Sequence, residues 1–256
     1  MLRAVLLDLG DTLVHLSKPW DDVFQANLES LYNYLTKKGL QVDFQRFGET
    51  FVRAFEDASA TSDFYKIEIP MQDIISKVLR KSKLEFLGVD LVEEATMEFY
   101  RPEVEDWQTY PDTIETLTAL QGAGFKMGLI SNSKSDWFVH AILRELGLKR
   151  FFEVIVTSAA LRIRKPRAEI FTRVLAALGV GAAETVFVGD SLHADVSGAK
   201  ILGIHTIHVE RKHGEDTSHV RPEATVRSLS EALQLITVWK DHSAGTVDPA
   251  RWSTVG

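Results

Sequence analysis

The sequence predicts an α/β fold, a doubly wound parallel sheet carrying an inserted all-helical unit, and two observations carry the prediction. Short apolar segments ending in polar or glycine residues alternate with helical patterns over the second half of the chain, whereas a long stretch near the start shows helical periodicity only. The first strand runs from Arg3 to Leu7, apolar enough to be buried on both faces, and leads into Asp8-Leu9-Gly10-Asp11-Thr12. Lys126–Ile130 leads into Ser131-Asn132, Val154–Val156 into Thr157-Ser158, Thr185–Val188 into Gly189-Asp190, and Ile204–Val209 into a polar stretch. Between them lie helical stripes: Ile114, Leu117 and Leu120; Phe138, Ile142 and Leu146; Ile170, Val174 and Leu178. Strand and helix in alternation give parallel pairing, with ligands at the carboxyl ends of the strands.

From Ser17 to Trp107 the pattern changes. Phe24, Leu28, Leu31 and Leu35 form one stripe that stops at Gly39, Phe44, Phe47, Phe51 and Phe55 a second, and Ile74, Ile75, Val78 and Leu79 a third, with no convincing strand among them. These aromatic stripes read as packing rather than a cofactor site. The expected organisation is a core from residues 1–16 and 108–241, a helical cap over 17–107, and a loosely held tail over 242–256. Ser228-Leu229-Ser230-Glu231 fits a capping box that opens a last helix through Trp239.

With 256 residues, 45% hydrophobic and 25% charged, the chain can bury a sizeable core. Its 29 basic and 36 acidic residues leave a formal charge of −7, which gives no electrostatic reason to bind a polyanion, so nucleic acid is excluded as an expected partner. No apolar run is long enough to cross a bilayer, and the segment before Asp8 is too short for a signal-peptide core, so a cytoplasmic protein with no membrane partner is expected. The absence of Cys excludes a thiolate nucleophile.

Four polar clusters follow predicted strands, and each supplies something phosphoryl transfer needs. Asp8 offers a carboxylate nucleophile and a metal ligand. Ser131-Asn132 offers a hydroxyl and backbone donors for phosphoryl oxygens. Lys165-Pro166 offers a fixed cation, and Gly189-Asp190-Ser191 through Asp195 offers oxygen ligands for a hard cation such as magnesium.

The order Asp8…Thr12, Ser131, Lys165-Pro166, Asp190…Asp195 resembles the four motifs of the haloacid dehalogenase-like hydrolase superfamily, and the likeness covers almost the whole chain. Tyr110-Pro111, Ala123-Gly124-Phe125 and Gly198-Ala199-Lys200 with Gly203 are similar to the subgroup whose helical cap lies between the first and second motifs. The resemblance implies a Rossmann-like core and a phosphatase acting with Mg2+ on a small phosphorylated metabolite. Asp8 would be nucleophile and metal ligand, with the Gly10 carbonyl and Asp190 completing the protein ligands. Ser131 and the Asn132 backbone would hold phosphoryl oxygens, and Lys165 would bridge Asp8 and substrate. Asp195 would orient Lys165 or a water on the cation, with Thr12 a supporting residue behind the nucleophile.

One position departs from that pattern. Phosphatases of the family place a second Asp two residues after the nucleophile, where it protonates the leaving alkoxide and later activates water; here the residue is Gly10. Asp11 is the nearest substitute as catalytic acid, although its plainer reading is an acceptor of backbone hydrogen bonds in the turn. His15 reads either as a hinge residue or as one reaching back over the site. Arg162, Arg164, Lys165 and Arg167 form a basic cluster, either a solvated loop or a receptor for an anionic substrate tail. Gly10 also keeps two alternatives open, a 2-haloacid dehalogenase that attacks carbon without a metal, and a weakly active or inactive module that binds a ligand or protein on the same fold.

Overall fold

A computed structural model of the protein describes residues 1–81, 88–211 and 219–242; the expected tail beyond 242 lies outside them. In chain order the elements are β1 (Ala4–Leu7), β2 (Val14–Leu16), α1 (Trp20–Lys37), α2 (Phe44–Tyr65), α3 (Met71–Lys81), α4 (Gly88–Val104) and β3 (Trp107–Thr109). There follow α5 (Thr113–Gly122), β4 (Lys126–Ser131), α6 (Asp136–Glu145), β5 (Val154–Thr157), α7 (Ser158–Leu161), α8 (Ala168–Leu178), β6 (Thr185–Gly189), α9 (Ser197–Ile201), β7 (His205–Val209), β8 (Ala224–Val226) and α10 (Leu229–His242).

Six strands form one sheet in the order β5-β4-β1-β6-β7-β8, every pair parallel. The chain leaves β1 for one side of the sheet and returns to the other, so the order reverses at β1, the place where such sheets open a crevice at their carboxyl ends. Alternation along β1 explains the two helical layers. Val5 and Leu7 face a core with Leu117, Leu120, Val139, Leu143 and Ile236, while Ala4 and Leu6 face another with Ile170, Phe171, Val174 and Ala199. At Gly128 a Cβ would come within 2.7 Å of Val174 Cγ1, so the missing side chain is what lets α8 lie against β4.

Local signals set the helix ends. The Asp43 carboxylate accepts from the Arg46 N–H at 2.9 Å to open α2, and Ser135 Oγ accepts from the Phe138 N–H at 3.2 Å to open α6. Ser228 Oγ accepts from the Glu231 N–H at 3.1 Å, while Glu231 accepts from the Arg227 N–H rather than from Ser228, one residue off the expected box. The helix runs past Trp239 to His242.

Helices α1 to α4 enclose a third apolar cluster, with Leu31, Leu35, Phe47, Phe51, Ile74, Val78 and Phe99 inside; Phe138 and Ile142 of α6 belong to it as well. Helix α4 adds a fourth helix to the three stripes read from the sequence. The chain enters and leaves this helical layer through β2 and β3, paired antiparallel with His15 opposite Gln108, so Trp107 starts a strand where none was expected. A second seam joins the helical layer to the loop after α7. Ile67 bridges Ile163, the Glu68 N–H donates to the Arg162 carbonyl at 3.2 Å, and the Arg164 N–H donates to the Lys66 carbonyl at 3.4 Å. The buried Glu68 carboxylate accepts from Ser158 Oγ at 2.8 Å and Lys134 Nζ at 3.3 Å, and at the surface Arg162 pairs with Asp73. None of the described helices is long and apolar enough to cross a membrane.

Candidate active site

Asp8, Asn132 and Asp190 each come directly after a strand of the central trio, β1, β4 and β6, so sheet pairing alone brings them to one crevice. Lys165 arrives from the other direction, on the loop between α7 and α8. Its ammonium donates to Asp8 Oδ1 at 2.6 Å and to the Ile130 carbonyl at 2.9 Å, and forms an ion pair with Asp195 Oδ1 at 2.6 Å. Burial pulls the Lys165 pKa down, but the carboxylates of Asp195 and Asp8 outweigh it and hold the group charged, well above the ordinary lysine value. Asp195 in turn accepts from the Ser191 N–H through Oδ2 at 3.0 Å.

The carboxylates of Asp8, Asp190 and Asp195 lie within 4.8 Å of one another, and a single ammonium does not balance them. Burial pushes Asp8 up to about 6, with the Asp195 charge adding to it and Lys165 offsetting part. Burial pushes Asp190 up to about 8, helped by the charges of Asp8, Asp195 and Asp11. With Asp195 committed to Lys165 and Ser191, the oxygens left for a hard cation belong to Asp8 and Asp190, and a donor set of crowded carboxylates fits magnesium. His208 Nε2 fixes the Asp190 carbonyl at 2.9 Å.

A cavity of about 250 Å3 opens here, and Asp8, Gly10, Asp11, Ser131, Asn132, Lys165, Asp190 and Asp195 all line it. Thr12 is not in the lining; it is fully buried, and its hydroxyl has no partner among the described residues. The Asn132 side chain has a function the sequence did not signal. Its Oδ1 accepts from the Lys165 N–H at 2.9 Å and its Nδ2 donates to the Lys165 carbonyl at 3.1 Å, clamping the backbone that carries the ammonium. Asp11 adopts a left-handed φ of 53°, a conformation Asp tolerates better than most residues, and its N–H donates to the Val14 carbonyl at 2.7 Å. Gly10 needs no such conformation, and a Cβ there would meet the Trp107 ring at 3.6 Å, an ordinary contact. His15 is held in the ribbon, its ring tilted at 47° against Tyr110 with centroids 4.8 Å apart and its Nδ1 3.1 Å from the Leu16 carbonyl, and does not line the cavity. The basic cluster is already matched: Arg162 faces Asp73, Arg164 faces Asp63 and Glu68, and Arg167 faces Glu169.

Gly189 controls how close Asp195 can come. A Cβ there would sit 2.3 Å from Asp195 Oδ2 and 2.6 Å from its Cγ, so Gly189→Ala must displace the carboxylate. The variant is expected to lose about 10-fold to 100-fold in turnover with little change in secondary structure, as when an orienting partner of a site group is moved. Steady-state rates beside circular dichroism check this, and unchanged turnover would mean Asp195 does not position Lys165.

The sequence pattern of the haloacid dehalogenase-like hydrolase family matches residues 2–203. The glyceraldehyde 3-phosphate phosphatase of Methanocaldococcus jannaschii is 27% identical over 92% of this chain and 97% of its own length. A phosphatase of the same superfamily from Thermococcus onnurineus superposes with a TM-score of 0.64 at 25% identity, over 92% of this chain and 98% of the other. A 2-haloacid dehalogenase from Pseudomonas syringae superposes with a TM-score of 0.67 at 22% identity, over 93% and 100%, a likeness of fold.

Proposed function

The chain belongs to the haloacid dehalogenase-like hydrolases, and on that premise we propose that it is a magnesium-dependent phosphatase for small phosphate monoesters, working through an aspartyl-phosphate on Asp8. The observation that carries this reading is the buried cluster of three carboxylates, Asp8, Asp190 and Asp195, which the single ammonium of Lys165 cannot neutralise. The phosphatase names of relatives such as that of Methanocaldococcus jannaschii support it.

An Asp8 carboxylate oxygen attacks phosphorus, the bond to the ester oxygen breaks, and an acyl phosphate forms; water then attacks its phosphorus, releasing inorganic phosphate and restoring Asp8. Lys165 keeps Asp8 ionised and aimed, since its ammonium is pinned by Asp195 and Ile130 from behind. The Ser131 hydroxyl and the Asn132 N–H, at the end of β4, face transferred phosphoryl oxygens. Asp8, Asp190 and the Gly10 carbonyl would hold magnesium, which when bound neutralises charge on the phosphoryl group. No carboxyl group at position 10 is available to protonate the departing oxygen.

Gly10 favours a second reading, attack of Asp8 on the carbon of a 2-haloacid, which needs no leaving-group acid. Rates on p-nitrophenyl phosphate, acetyl phosphate and 2-haloacids, each with magnesium and with EDTA, separate the two. Phosphate release that requires magnesium is the expected result, and haloacid turnover undiminished by EDTA would replace it.

A further inference from the structure

Beside the nucleophile's cavity lies a second one of about 300 Å3, between the helical layer and the sheet. Trp107, Asn132, Ser133 and Phe138 line both, so the second cavity adjoins the place from which a group would leave the phosphorus. Six rings line it: Trp20, Phe55, Phe99, Tyr100, Trp107 and Phe138. They hold one another, with Tyr100 stacked on Phe138 at 4.4 Å and Trp107 edge-on to Phe138 at 6.4 Å. Its cations are spoken for. Lys134 pairs with Glu68 at 3.3 Å, and Arg164 with Asp63 at 3.0 Å and Glu68 at 3.8 Å. Glu103 adds a further acid, its carboxylate accepting from Asn27 at 2.6 Å and Trp107 Nε1 at 3.3 Å. Among the described residues the cavity therefore presents six rings beside ion-paired polar groups, a volume at the small end for ligand sites, and three acids, Asp63, Glu68 and Glu103, against two paired cations, a balance that disfavours a second phosphate or a carboxylate.

Resting on the phosphatase reading, the geometry points to aryl phosphate monoesters as the substrate class, the ester oxygen borne by an uncharged ring that the second cavity receives. Gly10 agrees with this independently. When the Asp8 oxygen bonds to phosphorus and the bond to the ring oxygen breaks, that oxygen leaves with the electron pair as a phenolate, whose charge the ring spreads, so no proton need be delivered. An alkoxide has no such outlet.

The test uses the full chain with magnesium and takes acetyl phosphate as the baseline for the chemistry. The substrates compared are phenyl phosphate, 1-naphthyl phosphate and a fluorinated alkyl phosphate of matched leaving-group pKa, which removes the acid from the comparison. KM is expected to be about tenfold lower for the aryl esters, the size of effect that ring burial between aromatic neighbours gives. A carboxylate in the para position of phenyl phosphate should abolish the advantage. Phe55→Ala removes one wall and Ser59→Trp, on the same helix, fills the space; in each the alkyl-to-aryl ratio of KM should fall from about ten toward one. Equal KM values at matched pKa, a ratio unchanged in both variants, or tighter binding of the carboxylated ester would overturn the assignment while leaving a working phosphatase. Failure to cleave acetyl phosphate as well as every ester would overturn the phosphatase reading, and this assignment with it.

Discussion

Asp8→Asn is expected to lower turnover by at least about 10³-fold, because an amide cannot form the acyl phosphate. Asp190→Asn should follow it in activity while moving stability the other way. Burial and three neighbouring carboxylates lift Asp190 to about 8 in the folded protein, against an ordinary carboxylate value of about 4 once unfolded. Below about pH 4 both states hold the proton and nothing is lost. Between about 4 and 8 the folded state keeps a proton that the unfolded state has released, so the stability of the metal-free protein falls as pH rises through that window. Asparagine cannot ionise, so the metal-free variant should melt a few degrees above wild type at pH near 8, and match it near pH 4. Magnesium should raise the wild-type melting temperature by more at the higher pH, where the carboxylates no longer compete with protons, and should leave Asp190→Asn unmoved. Differential scanning fluorimetry across pH, with magnesium or EDTA, reads all of this. A metal-free Asp190→Asn that melts below wild type near pH 8 would show that the carboxylate cluster is not the source of strain.

Gly10→Asp is expected to raise turnover of alkyl phosphates such as glycerol phosphate by about 10²-fold or more, and that of acetyl phosphate by much less, since both gain a base for the water that cleaves the acyl phosphate but only the former needs a proton on its leaving oxygen. The fold permits the change: Gly10 is outside the left-handed region, and its added Cβ would rest 3.6 and 3.8 Å from the Trp107 ring. Asp11→Asn is the control. Its left-handed backbone and its N–H bond to Val14 give Asp11 a turn-forming role, so alkyl phosphate rates should change little. Loss of those rates in Asp11→Asn, with magnesium binding intact, would make Asp11 the acid, and wild-type rates on alkyl esters should then already be high.

The parallel core was legible because its strands are runs buried on both faces, so Ala4–Leu7 and Thr185–Gly189 stand out by composition alone. The cavity was legible for a related reason: a polar residue directly after such a run, as at Asp8 or Asp190, can only emerge at a strand's carboxyl end. Strands β2, β3 and β8, three residues each, are too short for a period to register. Helix α4 carries its stripe on Leu91, Ala95 and Phe99, where the small Ala95 and the Pro102 inside the helix weaken the signal. Pairings of distant residues were out of reach altogether. Nothing in the sequence couples Glu68 to Ser158, 90 positions away, or tells that Asn132 spends its amide on the Lys165 backbone rather than on substrate.

The seam between the helical layer and the sheet joins two kinds of ion pair, and dissolved salt distinguishes them. Arg162 and Asp73 stand 61% and 42% exposed, so mobile counterions screen their attraction as the Debye length shrinks from about 10 Å at 0.1 M to about 3 Å at 1 M. Lys134 and Glu68, 13% and 1% exposed, are walled off from those ions. Concentrated salt thus slackens the outer clasp and spares the inner one, whose carboxylate also neighbours Arg164, the residue just before Lys165. The helical layer accordingly keeps its inner contact beside the ammonium in brine, and only its outer contact answers to salt.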